Sequence, residues 1–309
     1  MPLADVCSEG SRHYVLHFDH YLKPPAEWGP IKRPKVFVDD CDWGEVCSGL
    51  VESGICSFID ESEVFDTGQG PLLNGLFGVT KEERTAEGVE IFRLIMNLIP
   101  LNSLCAPLAG DVNTLPAWSG MSPFFLQPSE CLLVSSEDVK CFFYTLSVPE
   151  CWVKFLAFNK RVPDDVLPSH LQGRVIYLAA KVLPMGFLNS VSLAQNVHRN
   201  LVLASHESSL SREVNAPESE HRKDRPFCAG PSIWRVYLDN YDLLEKVKAT
   251  DMVDVEETVA PGILALRQEY EKWQVPRNVK KSVQRSCKAE MRHTLERASC
   301  ASTSVWHGN

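Results

Sequence analysis

Ile233-Trp-Arg-Val-Tyr-Leu-Asp239-Asn240 is a compact apolar strand that stops on two turn residues. Branched and aromatic side chains favour extended backbone, whereas Asp and Asn bond locally to the chain and end it. A second acid in a similar setting stands 101 positions earlier (239 − 138). Asp138 lies early in Asp138-Val-Lys-Cys-Phe-Phe-Tyr-Thr-Leu-Ser-Val148, within an aromatic and β-branched run expected to form a strand over 136–148. Carboxylates beside buried strands cost several kcal/mol to desolvate unless a cation compensates them. Two magnesium ions about 3.5–4 Å apart, bridging both acids, would compensate them and align a phosphoryl transfer. The alternative is that each acid caps a strand or turns the chain.

Working outward, residues 1–35 read as irregular, because the prolines of Leu22-Lys-Pro-Pro-Ala-Glu-Trp-Gly-Pro30 discourage regular structure. Val46, Leu50, Val51 and Ile55 predict an amphipathic helix over 42–58. Strands are expected over 75–81 and 89–98, joined by Lys81-Glu-Glu-Arg84, and again over 174–182. Trp152 to Phe158 reads as a further strand or the end of a turn. Val191, Ala194, Val197 and Leu201 predict a helix over 188–203, on which Gln195 and His198 sit one turn apart; no metal role is expected for them, and His198 reads as a surface or core hydrogen-bonding residue. Residues 205–226 are polar and read as a mobile loop. Pro261 starts a last helix with Leu264, Arg267, Tyr270 and Trp273 on one stripe. The order is a mixed α+β arrangement without regular βαβα alternation.

The 309 residues are 44% hydrophobic and 23% charged, enough for one large core or two modest ones. No apolar run approaches the roughly 18–20 residues that cross a bilayer, and no signal peptide is visible, so a cytoplasmic or nuclear location without a membrane partner is expected. The eleven cysteines are scattered without a Cys-x-x-Cys pair, which argues for reduced core residues over a zinc site or a disulfide scaffold. A net charge of −9 speaks mildly against nucleic acid, but residues 275–300 carry seven Lys/Arg against two Asp/Glu.

Five strings in order resemble the reverse transcriptases of retroelements, over about Val46 to Ser286. They are Glu90-Ile-Phe-Arg-Leu-Ile-Met-Asn-Leu-Ile-Pro-Leu-Asn102, Asp138 with its following Phe-Phe-Tyr, Leu183-Pro-Met-Gly-Phe-Leu-Asn-Ser190, Tyr237-Leu-Asp-Asn240 and Val275-Pro-Arg-Asn-Val-Lys-Lys-Ser282. The resemblance implies a fingers region over 36–130 and a palm over 131–286, with an antiparallel palm sheet backed by helices. A basic tail over 287–309 would leave the thumb missing or incomplete. It implies a template-directed DNA polymerase using Mg2+ or Mn2+, deoxynucleoside triphosphates and an RNA or DNA primer-template. Other chains would supply thumb or ribonuclease H functions.

By the same resemblance Asp138 and Asp239 are metal ligands, with the Val139 carbonyl beside them, and Lys281 protonates the leaving pyrophosphate, an assignment for which Lys280 competes. Lys81 and Arg93 grip the triphosphate, Phe143 lies beneath the sugar, and Met185 and Gly186 border the incoming base or template. A solvated hairpin accounts for Lys81 and Arg93, and a core position for Phe143, without any nucleotide. Asn189 and Ser190 could cap the following helix beside the same pocket. Three positions depart from the family pattern. Asn240 replaces the second Asp of the Tyr-x-Asp-Asp turn, so activity either persists at a lower level or fails. Asn97 and Ile99 stand where Asp and Arg are usual. Phe142 stands where a small residue is usual and is expected to crowd the floor of the site. The alternative reading is an inactive remnant that keeps the fold and binds nucleic acid.

Overall fold

Strands and helices mix in an α+β arrangement, and among the described residues the paired strands of each sheet run antiparallel. The structure, a computed structural model, describes residues 1–85, 87–116, 126–205, 212–214, 232–251 and 258–286. The chain divides into two compact units, Met1–Gly110 with Phe143–Leu193, and Asp111–Phe142 with Ala194–Asn309. Each unit is therefore discontinuous in sequence. The tail expected over 287–309 and most of the loop expected over 205–226 lie outside the described residues.

In the first unit the N-terminal segment is helical, contrary to expectation: α1 (Leu3–Val6), α2 (Glu9–Leu16) and a 3-10 turn at Phe18–Tyr21. The prolines fall after these elements and so do not interrupt them. Val15 and Phe18 are buried, and Phe18 stacks on Trp152 at 4.2 Å. Helix α3 (Asp40–Glu52) buries Trp43 and Cys47 in place of the expected Val46 face, and Gly54 follows it at φ +72. Its left-handed backbone lets the chain leave the helix. Ile55 therefore lies outside the helix, and β1 (Cys56–Asp60) follows at once.

The expected hairpin is present as β2 (Gly75–Arg84) and β3 (Glu90–Asn97), and it leads into α4 (Ile99–Leu104). Helices α5 (Phe142–Thr145) and α6 (Glu150–Val153) replace extended chain that the aromatic content suggested. Strands β5 (Ala157–Arg161) and β6 (Ile176–Ala180) then complete the sheet β1–β6–β5. Trp152 and Trp43, both buried, donate their indole N–H groups to the Val15 and Arg161 carbonyls at 2.7 Å, which satisfies a polar atom that burial would otherwise leave bare.

The second unit is built on β4 (Glu130–Asp138), the helix α7 (Ser190–Ala204) from Ala194 onward, β7 (Ser232–Tyr237), β8 (Asn240–Lys248), α8 (Pro261–Lys272) and β9 (Val283–Ser286). Its sheet runs β7–β8–β4–β9. Strand–helix–strand–strand–helix–strand with that order is the split βαβ arrangement, in which each crossover skips one strand. β4 lies six residues earlier than the aromatic run suggested. Its last six residues, Leu133–Asp138, are all buried. A central strand covered on both faces does not alternate, so composition alone misplaced it.

Helix α8 faces inward with Ile263, Leu266 and Tyr270, while Leu264 of the expected stripe is 48% exposed. The real face is rotated by one position because Arg267 turns to an acid on β4. Among the eight described cysteines Cys47, Cys56 and Cys105 are buried, whereas Cys41, Cys141 and Cys151 are exposed, so a core role holds for only part of the set. No helix among the described residues is long and apolar enough to cross a membrane.

Candidate functional site

Asp138 ends β4 directly opposite Asn240, the first residue of β8. The ladder continues one step further, where the Val139 N–H donates to the Asp239 carbonyl at 2.8 Å. Two acids 101 positions apart (239 − 138) thus occupy neighbouring strand ends in the second unit. The Asn240 amide donates to Asp239 Oδ1 at 3.1 Å, and Lys281 Nζ lies 3.6 Å from Asp138 Oδ2. The Asp138 side chain is 8% exposed and that of Lys281 is 43% exposed, so the pair opens to solvent on the lysine side.

The segment that carries Lys281 is fastened to β4 along its length. The Asn278 N–H donates to the Asp138 carbonyl and the Lys140 N–H donates to the Pro276 carbonyl, both at 2.8 Å. Side chains add to this through Glu137, which is fully buried. Its carboxylate accepts from Arg277 Nε and Nη2 at 2.9 Å, Arg267 Nε at 2.8 Å and Ser282 Oγ at 2.8 Å. Alternation along the strand explains the division of labour. Glu137 points into one face, where it is paired, and Asp138 points to the other. The buried row Arg235–Asp242–Ser136 crosses that second face, with Asp242 accepting from both neighbours at 2.7 Å.

Helix α7 buries polar as well as apolar residues. Ala194, Val197 and Leu201 are buried as expected, but so are Gln195, Asn196, His198 and Arg199. Buried polar groups require partners, and each of these has them. Arg199 bonds both oxygens of Glu213 and one of Asp111, while Asn196 donates to the other Asp111 oxygen. Glu213 and Val214, inside the segment expected to have little to bury, are 1% and 0% exposed.

Gln195 and His198 reach the turn of the β7–β8 hairpin. Leu238 and Asp239 link Tyr237 to its ladder partner Asn240, and Leu238 has φ +54. That conformation costs a non-glycine residue about 1–2 kcal/mol. The Leu238 N–H donates to Gln195 Oε1 at 2.9 Å, and the Leu238 carbonyl accepts from His198 Nδ1 at 2.5 Å. Because a carbonyl only accepts, Nδ1 carries the imidazole proton. Burial pushes His198 down to about 4, so the ring is neutral and Nε2 is an acceptor. The Tyr270 hydroxyl donates to it at 2.5 Å. Burial first, then the nearby Glu137, pushes Tyr270 well above the ordinary phenol range, which keeps that hydroxyl protonated.

No protein-family model matches the chain, and no curated protein matches it significantly. Among the described residues no three His, Cys, Asp or Glu side chains are grouped to hold a metal ion. Two carboxylates remain a suitable set for Mg2+, a hard cation that keeps several waters and takes one or two carboxylates plus substrate phosphates.

The other expected site residues belong to the first unit. Arg93 is exposed on β3 opposite Val79, and Lys81 is half-buried on β2. Phe143 and Met185 are half-buried, and the Tyr144 hydroxyl contacts Met185 Sδ at 4.0 Å. An added Cβ at Gly186 would overlap the Met96 carbonyl oxygen. The need for glycine is thus met by close backbone packing within this unit. Asn102 donates to the Gly186 carbonyl and accepts from the Leu188 N–H, at 2.9 and 2.8 Å. Asn189, expected as a helix cap beside a pocket, is a buried tie instead, bonded to Leu108, Tyr14 and Ala106. Asn97 accepts from the Ile99 N–H at 3.3 Å, and Ile99 is exposed. Phe142, in the second unit, is buried with its ring 5.4 Å from that of His198. It therefore fills core beside His198.

Glu137, Arg267 and Arg277 escaped the sequence reading. The available signal was a charged residue inside a run otherwise fit for burial, which calls for distant cations.

Proposed function

We propose that this chain is a template-directed DNA polymerase of the reverse-transcriptase kind. The observation that carries the reading is the meeting of Asp138 and Asp239 at neighbouring strand ends, with Lys281 beside Asp138. The five ordered strings that resemble retroelement reverse transcriptases supply the reaction class.

In this reading Asp138 and Asp239 bind the divalent ions, with the Val139 carbonyl as a further oxygen donor. Magnesium or manganese, when bound, would neutralise triphosphate charge and acidify the primer 3′-hydroxyl. Asn240 orients Asp239 through its amide. Lys281 balances Asp138 before substrate arrives and supplies a proton to the departing pyrophosphate. For Lys81, Arg93, Phe143, Met185 and Gly186 the resemblance alone suggests contacts with the phosphate, sugar or base of a nucleotide.

One observation favours a second reading, an inactive remnant that binds nucleic acid. Asn240 brings no charge where the family pattern has an acid, and its amide is engaged with Asp239. Primer extension on a homopolymer template, with Mg2+ or Mn2+, separates the two. The polymerase reading expects incorporation that Asp138→Asn and Asp239→Asn abolish and Asn240→Asp raises. Incorporation indifferent to both acids would overturn it. Salt-sensitive binding of primer-template without incorporation would establish the remnant.

A further inference from the structure

The turn that carries Asp239 has no glycine where its geometry calls for one. Leu238 is the first of two linking residues and has φ +54, a position usually filled by glycine because a Cβ crowds the backbone there. Something else has to hold the chain in that conformation. Both main-chain polar groups of Leu238 end on side chains of one helix, the N–H on Gln195 and the carbonyl on His198. Both side chains are fully buried.

Each is fixed in turn by a second contact. Gln195 Nε2 donates to the Val236 carbonyl at 2.9 Å, so one amide spans the corner from Val236 to Leu238. His198 is oriented by the Tyr270 hydroxyl on the opposite ring nitrogen. The Asp239 carbonyl, next in the chain, is taken by the Val139 N–H at the end of β4. Packing alone does not require such a pair, since apolar residues of similar size fill a core without leaving polar atoms to satisfy.

We infer that Gln195 and His198 are positioning residues that hold Leu238 in the left-handed region and so fix where Asp239 stands beside Asp138. The inference rests on the reading of those two acids as the centre of nucleotide transfer. Neither residue touches substrate. They act through the Leu238 backbone, and Tyr270 acts through His198.

Glycine provides the test, because it takes φ near +54 without restraint. Gln195→Ala and His198→Ala are compared in single-nucleotide extension, each alone and each combined with Leu238→Gly. The expected result is a kcat lower by roughly a hundredfold with little change in KM, restored by the added glycine to near the level of Leu238→Gly alone. Losses that glycine fails to restore, or a change confined to KM, overturn the inference. Melting curves identify folded variants, and if His198→Ala does not fold, Gln195→Ala carries the same comparison. Hydrogen exchange at the Leu238 amide gives a readout independent of activity. Faster exchange in folded Gln195→Ala is expected, and unchanged protection overturns the clamp. If the unaltered chain incorporates nothing with either metal, the polymerase reading falls, while exchange still decides whether the clamp exists.

Discussion

Two hairpins in this protein turn the chain in opposite ways. Between β2 and β3 the described loop residues are exposed, and Gly88 among them has a positive φ, +82. The closing pair Arg84–Glu90, at 3.1 Å, has side chains 61% and 49% exposed. Between β7 and β8 two residues suffice, the positive φ falls on Leu238, and buried side chains hold it. The first turn is satisfied by its own local chemistry. The second depends on Gln195 and His198, 43 and 40 positions earlier in the chain, and it bears the acid on which the proposed chemistry depends. Departure from local preference at one point, supported from a distance, is the pattern expected of a site whose geometry matters more than its stability.

The largest effect expected from breaking this contrast lies at the acids. Asp138→Asn should lower nucleotide incorporation by about a thousandfold or more, measured by primer extension, with melting little changed. No comparable loss is expected from any single change in the β2–β3 loop.

Next comes the anchor behind Asp138. Glu137→Ala leaves Arg267 and Arg277 without their shared carboxylate. Breaking a buried pair in this way should cost about 3–5 kcal/mol in urea unfolding.

The two turns should also differ in acid. His198 faces the Leu238 carbonyl, the Tyr270 hydroxyl and the Phe142 ring, and burial holds it near 4 against an ordinary 6.5. Between those values the unfolded chain binds the extra proton, so this contribution is complete above pH 6.5 and is lost as pH falls to about 4. The loss is on the order of 3 kcal/mol. Unfolding measured across that window should show a shallower slope in His198→Gln.

Smaller effects belong to the exposed hairpin. Gly88→Ala should cost about 1–2 kcal/mol, because a Cβ is disfavoured at its φ. Arg84→Ala should cost under about 0.5 kcal/mol, and 1 M salt should erase even that.

Part of what depends on local pattern was visible in the sequence, although the N-terminal helices and β1 were not. Alternating and β-branched residues marked β2, β3, β6 and β7, and the 3.6-residue period marked α7 and α8. Asp239 was visible too, as an aspartate at a strand end, whereas Asp138 was read early in a strand that in fact ends on it. What stayed hidden were choices settled by distant partners. Arg267 turned α8 by one position because Glu137 lies 130 residues earlier (267 − 137). The aromatic run after Asp138 promised a strand, yet Phe142 to Thr145 formed a helical turn, since a buried aromatic is satisfied by packing in either backbone. The clamp on Leu238 was equally hidden. Glutamine and histidine on a helix give no sign of which carbonyl or amide they will meet.

The separation of β4 from β8 in the chain also sets a timetable. β4 is complete at Asp138, but its first ladder partner, Asn240, is made 102 residues later (240 − 138). At translation rates of about 5–20 residues per second, that strand waits roughly 5–20 s with both edges unpaired. Its apolar Leu132-Leu-Val134 stretch is an open template for other strands during that interval. Assembly of this sheet is therefore a late event in synthesis.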